Sequence, residues 1–283
     1  MLTWWQAVVL GLVEGVTEYL PVSSTGHLIL TAALLHLDHP ETKDALDAYL
    51  IVVQGGAILA VVLLYWPRVA QMLRGLVGRD PDGLRLARNL AIAFAPAAVA
   101  GAVLGKAVKA HLFAAWPVLA ALAAGGLWMI QLGRRPARGG APITALSWRT
   151  ALGIGLFQTL ALWPGTSRSM VTIGGGILLG LGAVPAAEFS FLLGLPTLGA
   201  ACAHDLVQDL RGAAAAHGPS MFHQLGAVPV ALGLGVATLT AALAVRWLVS
   251  FLGRHGLAPF GWYRLALAAT LAGLFLSGIV RLG

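Results

Sequence analysis

The stretch LVEGVTEYLPVSSTGHL, residues 12–28, carries two glutamates, a run of hydroxyl side chains and a histidine. The chain as a whole is hydrophobic: 58% of its 283 residues are hydrophobic and 10% are charged. A soluble domain has about 25% charged residues. So few charges cannot cover a protein surface in water, and the long apolar runs predict an all-α integral membrane protein. The quoted stretch therefore places polar chemistry in or beside a bilayer.

Six apolar segments approach or exceed the roughly 20 residues that cross a bilayer. They are residues 48–66, 90–108, 114–132, 186–205, 226–250 and 261–281. Two further regions are short and broken, namely 5–20 with 28–37, and 150–163 with 170–184. At about 1.5 Å per residue, the first of these runs reaches about 24 Å against a hydrocarbon core of about 30 Å. We predict that both regions are re-entrant helical hairpins, with tips at Pro21 and Gly26 and at Pro164 and Gly165.

The elements occur as a hairpin and three spans, twice. An odd number of spans inverts the second half, which predicts an inverted-topology repeat with a site near the membrane midplane. The predicted organisation is a single membrane domain over 1–283, with repeat 1 at about 1–132, a cytoplasmic linker at about 133–149 and repeat 2 at about 150–283. The best match between the halves is YLPVSST (19–25) with LWPGTSR (162–168).

The net charge of +7 could suggest nucleic acid as a partner. The basic residues, however, lie between apolar segments, as topology rules for membrane proteins require, so no nucleic-acid partner is expected. The predicted cytoplasmic side holds Arg68, Arg74, Arg79, Arg85, Arg88, Arg134, Arg135, Arg138, Arg149, Arg246, Arg254 and Arg264. The predicted outer side holds Lys43, Lys106, Lys109, Arg211 and Arg281. This bias predicts that both termini face outside.

Three charges fall within the hairpins, namely Glu14, Glu18 and Arg168. A charge at the centre of a spanning helix costs about 2.5–3.5 kcal/mol, so such residues are functional candidates. Glu14 and Glu18 lie one turn apart on one helical face, where like charges repel. A proton, a metal ion or a basic partner such as Arg168 would relieve this repulsion. A purely structural ion pair would explain Arg168 with one glutamate but not the second glutamate.

Hydroxyl side chains surround both predicted tips. Ser23, Ser24 or Thr25 can cap the following helix, whose N-terminus is suited to an anion, and His27 falls in its first turn. At the second tip, Arg168 offers a planar fork for bidentate phosphate contact. The residues expected to bind substrate phosphate beside it are Ser23, Thr25, Thr166, Ser167 and Ser169. Carboxylates at such a site also suggest a bridging Mg²⁺ or Ca²⁺ held by Glu14 and Glu18.

These residues carry a resemblance to the undecaprenyl-diphosphate phosphatase family, also called bacitracin-resistance proteins. EGVTEYLPVSSTGH (14–27) matches the family's E-G-x-T-E-[FY]-L-P-[VI]-S-S-T-G-H at every defined place. LWPGTSRSMVTIGGGILLG (162–180) resembles its P-G-x-S-R-S-G-x-T-I pattern, with Met170 where the family usually has glycine. AEFSFLLGLP (187–196) and VVQGGAILAVV (52–62) extend the similarity over essentially the whole chain.

The resemblance implies hydrolysis of the terminal phosphate of a C55 polyprenyl diphosphate, which yields the monophosphate and inorganic phosphate. It implies a site on the periplasmic side of the bacterial inner membrane, recycling of the lipid carrier for peptidoglycan synthesis, and bacitracin resistance. The expected catalytic residues are Glu14, Glu18, Ser24, His27 and Arg168, with Mg²⁺ or Ca²⁺ as cofactor. Ser24 is the favoured nucleophile, and His27 or an activated water are the alternatives.

The expected partners are the polyprenyl diphosphate and membrane lipids. A homodimer is left open by the sequence. A transporter or flippase of a phosphorylated polyprenyl lipid is the alternative function, because an inverted repeat with a midplane site suits transport equally well.

Overall fold

The computed structural model describes residues 2–37, 43–112, 114–134, 142–214 and 220–277, and these ranges contain helices and turns but no strand. Their α-helices are α1 (Trp4–Thr17), α2 (Ser24–Leu34), α3 (Lys43–Val52), α4 (Gln54–Leu64), α5 (Trp66–Leu76), α6 (Pro81–Leu112), α7 (Ala115–Gly133), α8 (Trp148–Thr159), α9 (Arg168–Leu178), α10 (Ala183–Ala214), α11 (Met221–Leu225), α12 (Ala227–His255) and α13 (Ala258–Leu276). Arg135, Arg138 and Arg281 lie outside the described residues, and so do the side chains of Lys43 and Lys109.

Six helical segments in the described ranges are long and apolar enough to cross a membrane. They are Ala45–Leu64, Pro81–Val108, Ala115–Gly133, Ala183–Gly212, Ala227–His255 and Ala258–Leu276. Each overlaps one predicted span, which confirms an all-α, multi-pass membrane protein. The first segment is interrupted by a turn at Val53, between α3 and α4. The re-entrant position of α1–α2 and α8–α9, and the division into two repeats, stay predictions.

Helices of the two halves pack against each other reciprocally. The first hairpin helix, α1, lies along α12, whereas the second hairpin's first helix, α8, lies along α6. In the same way α7 packs on α13, and α3 and α4 pack on α10. Each hairpin is therefore held by the middle span of the other half, as a two-fold relation between the halves would produce.

The two hairpins also repeat their capping residues at one fixed spacing. Thr3 and Ser147 cap α1 and α8 with their side chains, and Ser23 and Ser167 cap α2 and α9. The separation is 144 residues in both cases, from 3 to 147 and from 23 to 167. The sequence match above aligned Ser24 with Ser167, so it was wrong by one residue. In the structural register, Ser24 corresponds to Arg168.

Small residues allow each hairpin helix to approach its partner span closely. A side-chain carbon at Gly11 would collide with the backbone oxygen of Gly233 in α12, and one at Gly155 would collide with that of Ala93 in α6. Because lipid gives no hydrophobic force between helices, such backbone contact is a main source of helix association in membranes. These glycines fix the hairpins against the spans.

We expect Gly11→Ala to lower the free energy of unfolding by about 1–3 kcal/mol, the usual cost of overpacking a close contact. Gly235 on α12 is the matched control, because an added carbon there meets nothing within 4 Å. Gly235→Ala should be neutral or stabilise the helix by up to about 1 kcal/mol. Thermal unfolding of the purified protein in detergent measures both effects, and equal behaviour of the two variants would contradict this packing.

Candidate active site

The first tip begins where α1 ends. Glu18 is the C-terminal cap of α1, and the chain then turns as far as Ser23. Ser23 is the N-terminal cap of α2 and has a φ of 74°. A left-handed φ is uncommon for a residue other than glycine and persists only where surrounding contacts fix it. Here the Ser23 hydroxyl oxygen accepts the N–H of Gly26 at 3.5 Å. This turn directs the next residue, Ser24, back towards Glu18.

The second tip has the same turn, with a serine of positive φ that caps the next helix. Ser167 has a φ of 73°, and its hydroxyl oxygen accepts the N–H of Met170 at 3.3 Å. Arg168 is consequently the first residue of α9, as Ser24 is the first residue of α2. The repeated turn thus places a hydroxyl on one tip opposite a guanidinium on the other.

Glu18 joins the two tips through both of its carboxylate oxygens. Oε1 accepts a hydrogen bond from Arg168 Nη2 at 3.1 Å, and Oε2 accepts one from Ser24 Oγ at 2.6 Å. Arg168 also donates from Nη1 to the Ser190 carbonyl at 2.9 Å, and its guanidinium lies 5.1 Å from the ring centre of Tyr19. Glu18, Ser24 and Arg168 are each less than one-tenth exposed. The expected contact of Arg168 with a hairpin glutamate is present.

Glu14 lies fully buried behind this group. Within the described residues, neither of its carboxylate oxygens has a hydrogen-bond partner, and the buried hydroxyls of Tyr19 and Tyr49 also lack one. Glu14 interacts electrostatically with Glu18 and Arg168. A buried carboxylate without hydrogen bonds is costly, so this oxygen-lined position suits a proton or a cation. The described residues contain no group of three or more His, Cys, Asp or Glu side chains that could hold a metal ion. A divalent ion at Glu14 and Glu18 therefore stays a prediction.

His27 is turned away from the Glu18–Ser24–Arg168 group. Its Nδ1 lies 2.7 Å from the Ser23 carbonyl oxygen, its Nε2 lies 2.6 Å from the Tyr263 hydroxyl, and the two rings stack. A carbonyl only accepts, so Nδ1 carries a proton and a neutral ring accepts the Tyr263 hydroxyl proton at Nε2. With both nitrogens engaged, His27 supports the first tip rather than facing the second.

A cavity of about 650 Å³ opens in front of the two tips. Its polar end is formed by Glu18, Ser23, Ser24, Thr25, Ser167 and Arg168. Its side walls are mainly small and apolar residues of α6 and α10: Phe94, Ala97, Ala98, Gly101, Ala102, Leu198, Ala200 and Ala201. The wall also includes the polar residues Gln54, Gln158, Thr197 and His204, so the cavity is amphipathic, with charge at the tips and a mainly apolar wall along the spans.

Four predicted site residues do not form part of this cavity wall, namely Glu14, His27, Thr166 and Ser169. Ser169 instead donates to the Leu20 carbonyl at 2.8 Å and thereby ties the second tip to the first. Thr166 is buried in the turn before Ser167. The Ser169 hydroxyl therefore connects the two tips, and phosphate binding by Thr166 and Ser169 stays a prediction.

Arg264 was counted above among the basic residues of the predicted cytoplasmic side, but its side chain lies inside the protein rather than in an exposed loop. Its side chain is fully buried and donates to the carbonyl oxygens of Pro21, Ala121, Leu122 and Gly165. The signal was available, because Arg264 falls inside the predicted span 261–281. A charged residue inside a span is expected to face the protein interior, and this position indicates the burial of Arg264.

Gln158 is a second residue that sequence reasoning missed. It is 1% exposed and lines the cavity, its Oε1 accepts from the Thr197 hydroxyl at 3.3 Å, and its Nε2 has no partner among the described residues. It lies in α8 where Glu14 lies in α1, nine residues before the serine that caps the tip helix. A neutral amide gave no signal in a search for buried charges.

Comparison with known proteins matches residues 7–270 to the family described as bacitracin resistance protein BacA. The chain is 50% identical over 270 residues to the undecaprenyl-diphosphatase of Sorangium cellulosum, covering 94% of this chain and 84% of that protein. It is 44% identical over 265 residues to the undecaprenyl-diphosphatase of Methylococcus capsulatus, covering 93% and 92%. It is also 43% identical over 284 residues to undecaprenyl-diphosphatase 2 of Rhodospirillum rubrum, covering 97% and 96%.

The buried ion pair predicts that Arg168→Gln lowers the free energy of unfolding by about 3–5 kcal/mol, because it leaves two buried carboxylates without a cation. The control is Arg68→Gln, which removes the partly exposed pair between Arg68 Nε and Glu188 Oε1 at 3.0 Å. That pair should contribute about 1 kcal/mol or less. Thermal unfolding in detergent compares the two variants, and similar losses would argue against the burial of the Glu18–Arg168 pair.

Proposed function

The chain belongs to the bacitracin resistance protein BacA family, and from this premise we propose that it is an undecaprenyl-diphosphate phosphatase. It hydrolyses the terminal phosphate of a C55 polyprenyl diphosphate to the monophosphate and inorganic phosphate, which recycles the lipid carrier for peptidoglycan synthesis and confers bacitracin resistance. One observation carries the assignment: Ser24, Glu18 and Arg168 meet at the polar end of a cavity whose walls are mainly apolar.

The cavity fits the two chemical parts of this substrate. Its polar end offers Arg168, hydroxyl side chains and the N-termini of α2 and α9, whose first N–H groups have no partner within their own helix. A pocket of 300–1,000 Å³ is typical for a drug-sized ligand, so 650 Å³ holds a diphosphate and the first units of the prenyl chain. The remainder of the C55 tail lies among membrane lipids.

Ser24 is the nucleophile in this proposal. Its hydroxyl already donates to Glu18 Oε2, so the carboxylate accepts the proton as Oγ attacks the terminal phosphorus. The bond between that phosphorus and the bridging oxygen breaks, and the polyprenyl monophosphate leaves. Arg168 stabilises the negative charge on the phosphoryl oxygens. Water then cleaves the phosphoserine and releases inorganic phosphate. Direct attack by water is the alternative route.

His27 holds the nucleophile's turn rather than attacking phosphorus. It donates to the Ser23 carbonyl, one residue before Ser24, and Tyr263 fixes the ring from the other side. Because neither nitrogen faces the cavity, a nucleophilic role for His27 would require the ring to leave both partners.

The proposal includes a divalent cation, Mg²⁺ or Ca²⁺, at the two carboxylates of this site. Glu14 would hold it with both unpartnered oxygens, and Glu18 would contribute where Arg168 and Ser24 leave its lone pairs free. When bound, such an ion supplies positive charge that offsets the repulsion between the carboxylates and the phosphate oxygens.

The site is proposed to open to the periplasmic side of the bacterial inner membrane. The cavity wall uses residues between 94 and 102 of α6 and between 197 and 204 of α10, in the middle and C-terminal halves of those helices. In the orientation predicted from the arginine-rich loops, these halves point outwards. Pairing of two copies into a homodimer stays a prediction.

Purified protein in detergent should release phosphate from a polyprenyl diphosphate, and Ser24→Ala should lower kcat on the order of 10³-fold or more. Ser250→Ala is the control, because Ser250 is exposed on α12 away from the site. Detergent micelles have no two sides, so phosphate release separates a phosphatase from a transporter or flippase. Absence of release from the wild-type protein would favour the transporter.

Rapid quench with a labelled terminal phosphate tests the covalent route: no phosphoserine despite normal turnover would favour direct attack by water.

EDTA should abolish phosphate release, and Mg²⁺ or Ca²⁺ should restore it. Each cation should also raise the melting temperature of the wild-type protein without substrate, since binding to the folded state stabilises it. Glu14→Gln should lose this thermal shift, because the amide removes the negative charge of the principal ligand. A thermal shift that is unchanged in Glu14→Gln would place the ion elsewhere.

A further inference from the structure

Arg264 is a buried cation whose hydrogen bonds within the described part of the chain all go to backbone carbonyl groups. Nε donates to Leu122 at 3.3 Å, Nη1 to Pro21 at 3.5 Å, and Nη2 to Ala121 at 3.0 Å and Gly165 at 2.7 Å. The side chain is 0% exposed. The ion pairs among the described residues do not include Arg264. Removing a guanidinium from water costs free energy unless hydrogen bonds replace those to water, and here four carbonyl groups provide them. A charge buried in this way indicates a specific role for Arg264.

The carbonyl groups that Arg264 binds in the two tips occupy equivalent positions. Pro21 lies two residues before Ser23, and Gly165 lies two residues before Ser167, so each precedes the left-handed serine of its tip. One guanidinium therefore connects the same point of both hairpins. Its contacts with Ala121 and Leu122 attach this connection to α7.

The two reacting groups follow these carbonyls at equal distances along the chain. Ser24 is the third residue after Pro21, and Arg168 is the third residue after Gly165. The position of Arg264 thus bears on where the Ser24 hydroxyl and the Arg168 guanidinium lie relative to each other. Misplacement of reacting groups by about 1 Å can cost about 10²-fold in rate.

We propose that Arg264 is a positioning residue: its guanidinium clamps the equivalent carbonyl groups of both hairpin tips and so sets the spacing between Ser24 and Arg168. This inference rests on the proposed phosphatase function. A lysine cannot replace the clamp, because one ammonium has three N–H groups on a single nitrogen and cannot span the same carbonyls.

The kinetic test compares Arg264→Lys and Arg264→Gln with Arg246→Gln, a matched change at an exposed arginine of α12. We expect both Arg264 variants to lower kcat about 10- to 100-fold with KM changed much less, and the control to match the wild type. Combining Arg264→Lys with Arg168→Lys should cost less than the sum of the single losses, because the two residues act on one geometry. Unchanged kcat, or a rise in KM alone, would overturn the proposal.

A distance measurement tests the clamp without using activity. Spin labels at Leu34→Cys in α2 and Leu179→Cys at the end of α9, in a Cys202→Ala background, report the separation of the two tip helices; both leucines are exposed. Arg264→Gln should shift or broaden the distance distribution, whereas Arg246→Gln should leave it unchanged. The same distribution in Arg264→Gln overturns the clamp even if the wild type proves to be inactive. A shifted distribution with an inactive wild type would reject the phosphatase and keep the clamp.

Discussion

The contact on which the site depends is the double engagement of the Glu18 carboxylate. One oxygen binds Arg168 of the opposite hairpin and the other binds the Ser24 hydroxyl, so a single side chain links the proposed phosphate-binding charge to the proposed nucleophile. In a chain with 10% charged residues, this pair is buried between short helices rather than exposed to water. The geometry holds only if both hairpin tips are fixed within fractions of an ångström.

Backbone conformation and close helix packing hold the two hairpin tips in position. Ser23 and Ser167 adopt left-handed conformations that aim the first residues of α2 and α9 at each other. Gly11 and Gly155 let the hairpin helices approach α12 and α6 until backbone meets backbone. Arg264 and Ser169 then bind tip carbonyl groups. Broken backbone at membrane depth is tolerated only where protein surrounds it, so the predicted re-entrant position of the tips requires contacts of this kind.

The buried charges divide into two sets with different partners. Arg168 faces a carboxylate and the cavity, whereas Arg264 faces carbonyl groups and is sealed from the cavity. Each oxygen of Glu18 accepts one hydrogen bond, whereas the oxygens of Glu14 have no hydrogen-bond partner among the described residues. Each half therefore has one charged residue at the cavity and one buried away from it: Glu18 and Glu14 in the first half, Arg168 and Arg264 in the second.

Hydropathy along the chain was enough to predict the six spans, the two short broken regions and the all-α class. A helix that crosses a bilayer must be one continuous apolar run, and such a run is visible in a short window of sequence. The motif around Glu14 to His27 and the charge of Arg168 likewise predicted Glu18, Ser24 and Arg168, which the structure brings together. Only the tertiary structure decided which of them meet. Glu18 and Arg168 are 150 residues apart, and their contact depends on how α1 and α8 pack against spans of the other half. The same packing turned His27 towards Tyr263, buried Arg264 between the tips and left Glu14 behind Glu18, because a side chain's partners are set by helix rotation and depth, which a linear pattern does not specify.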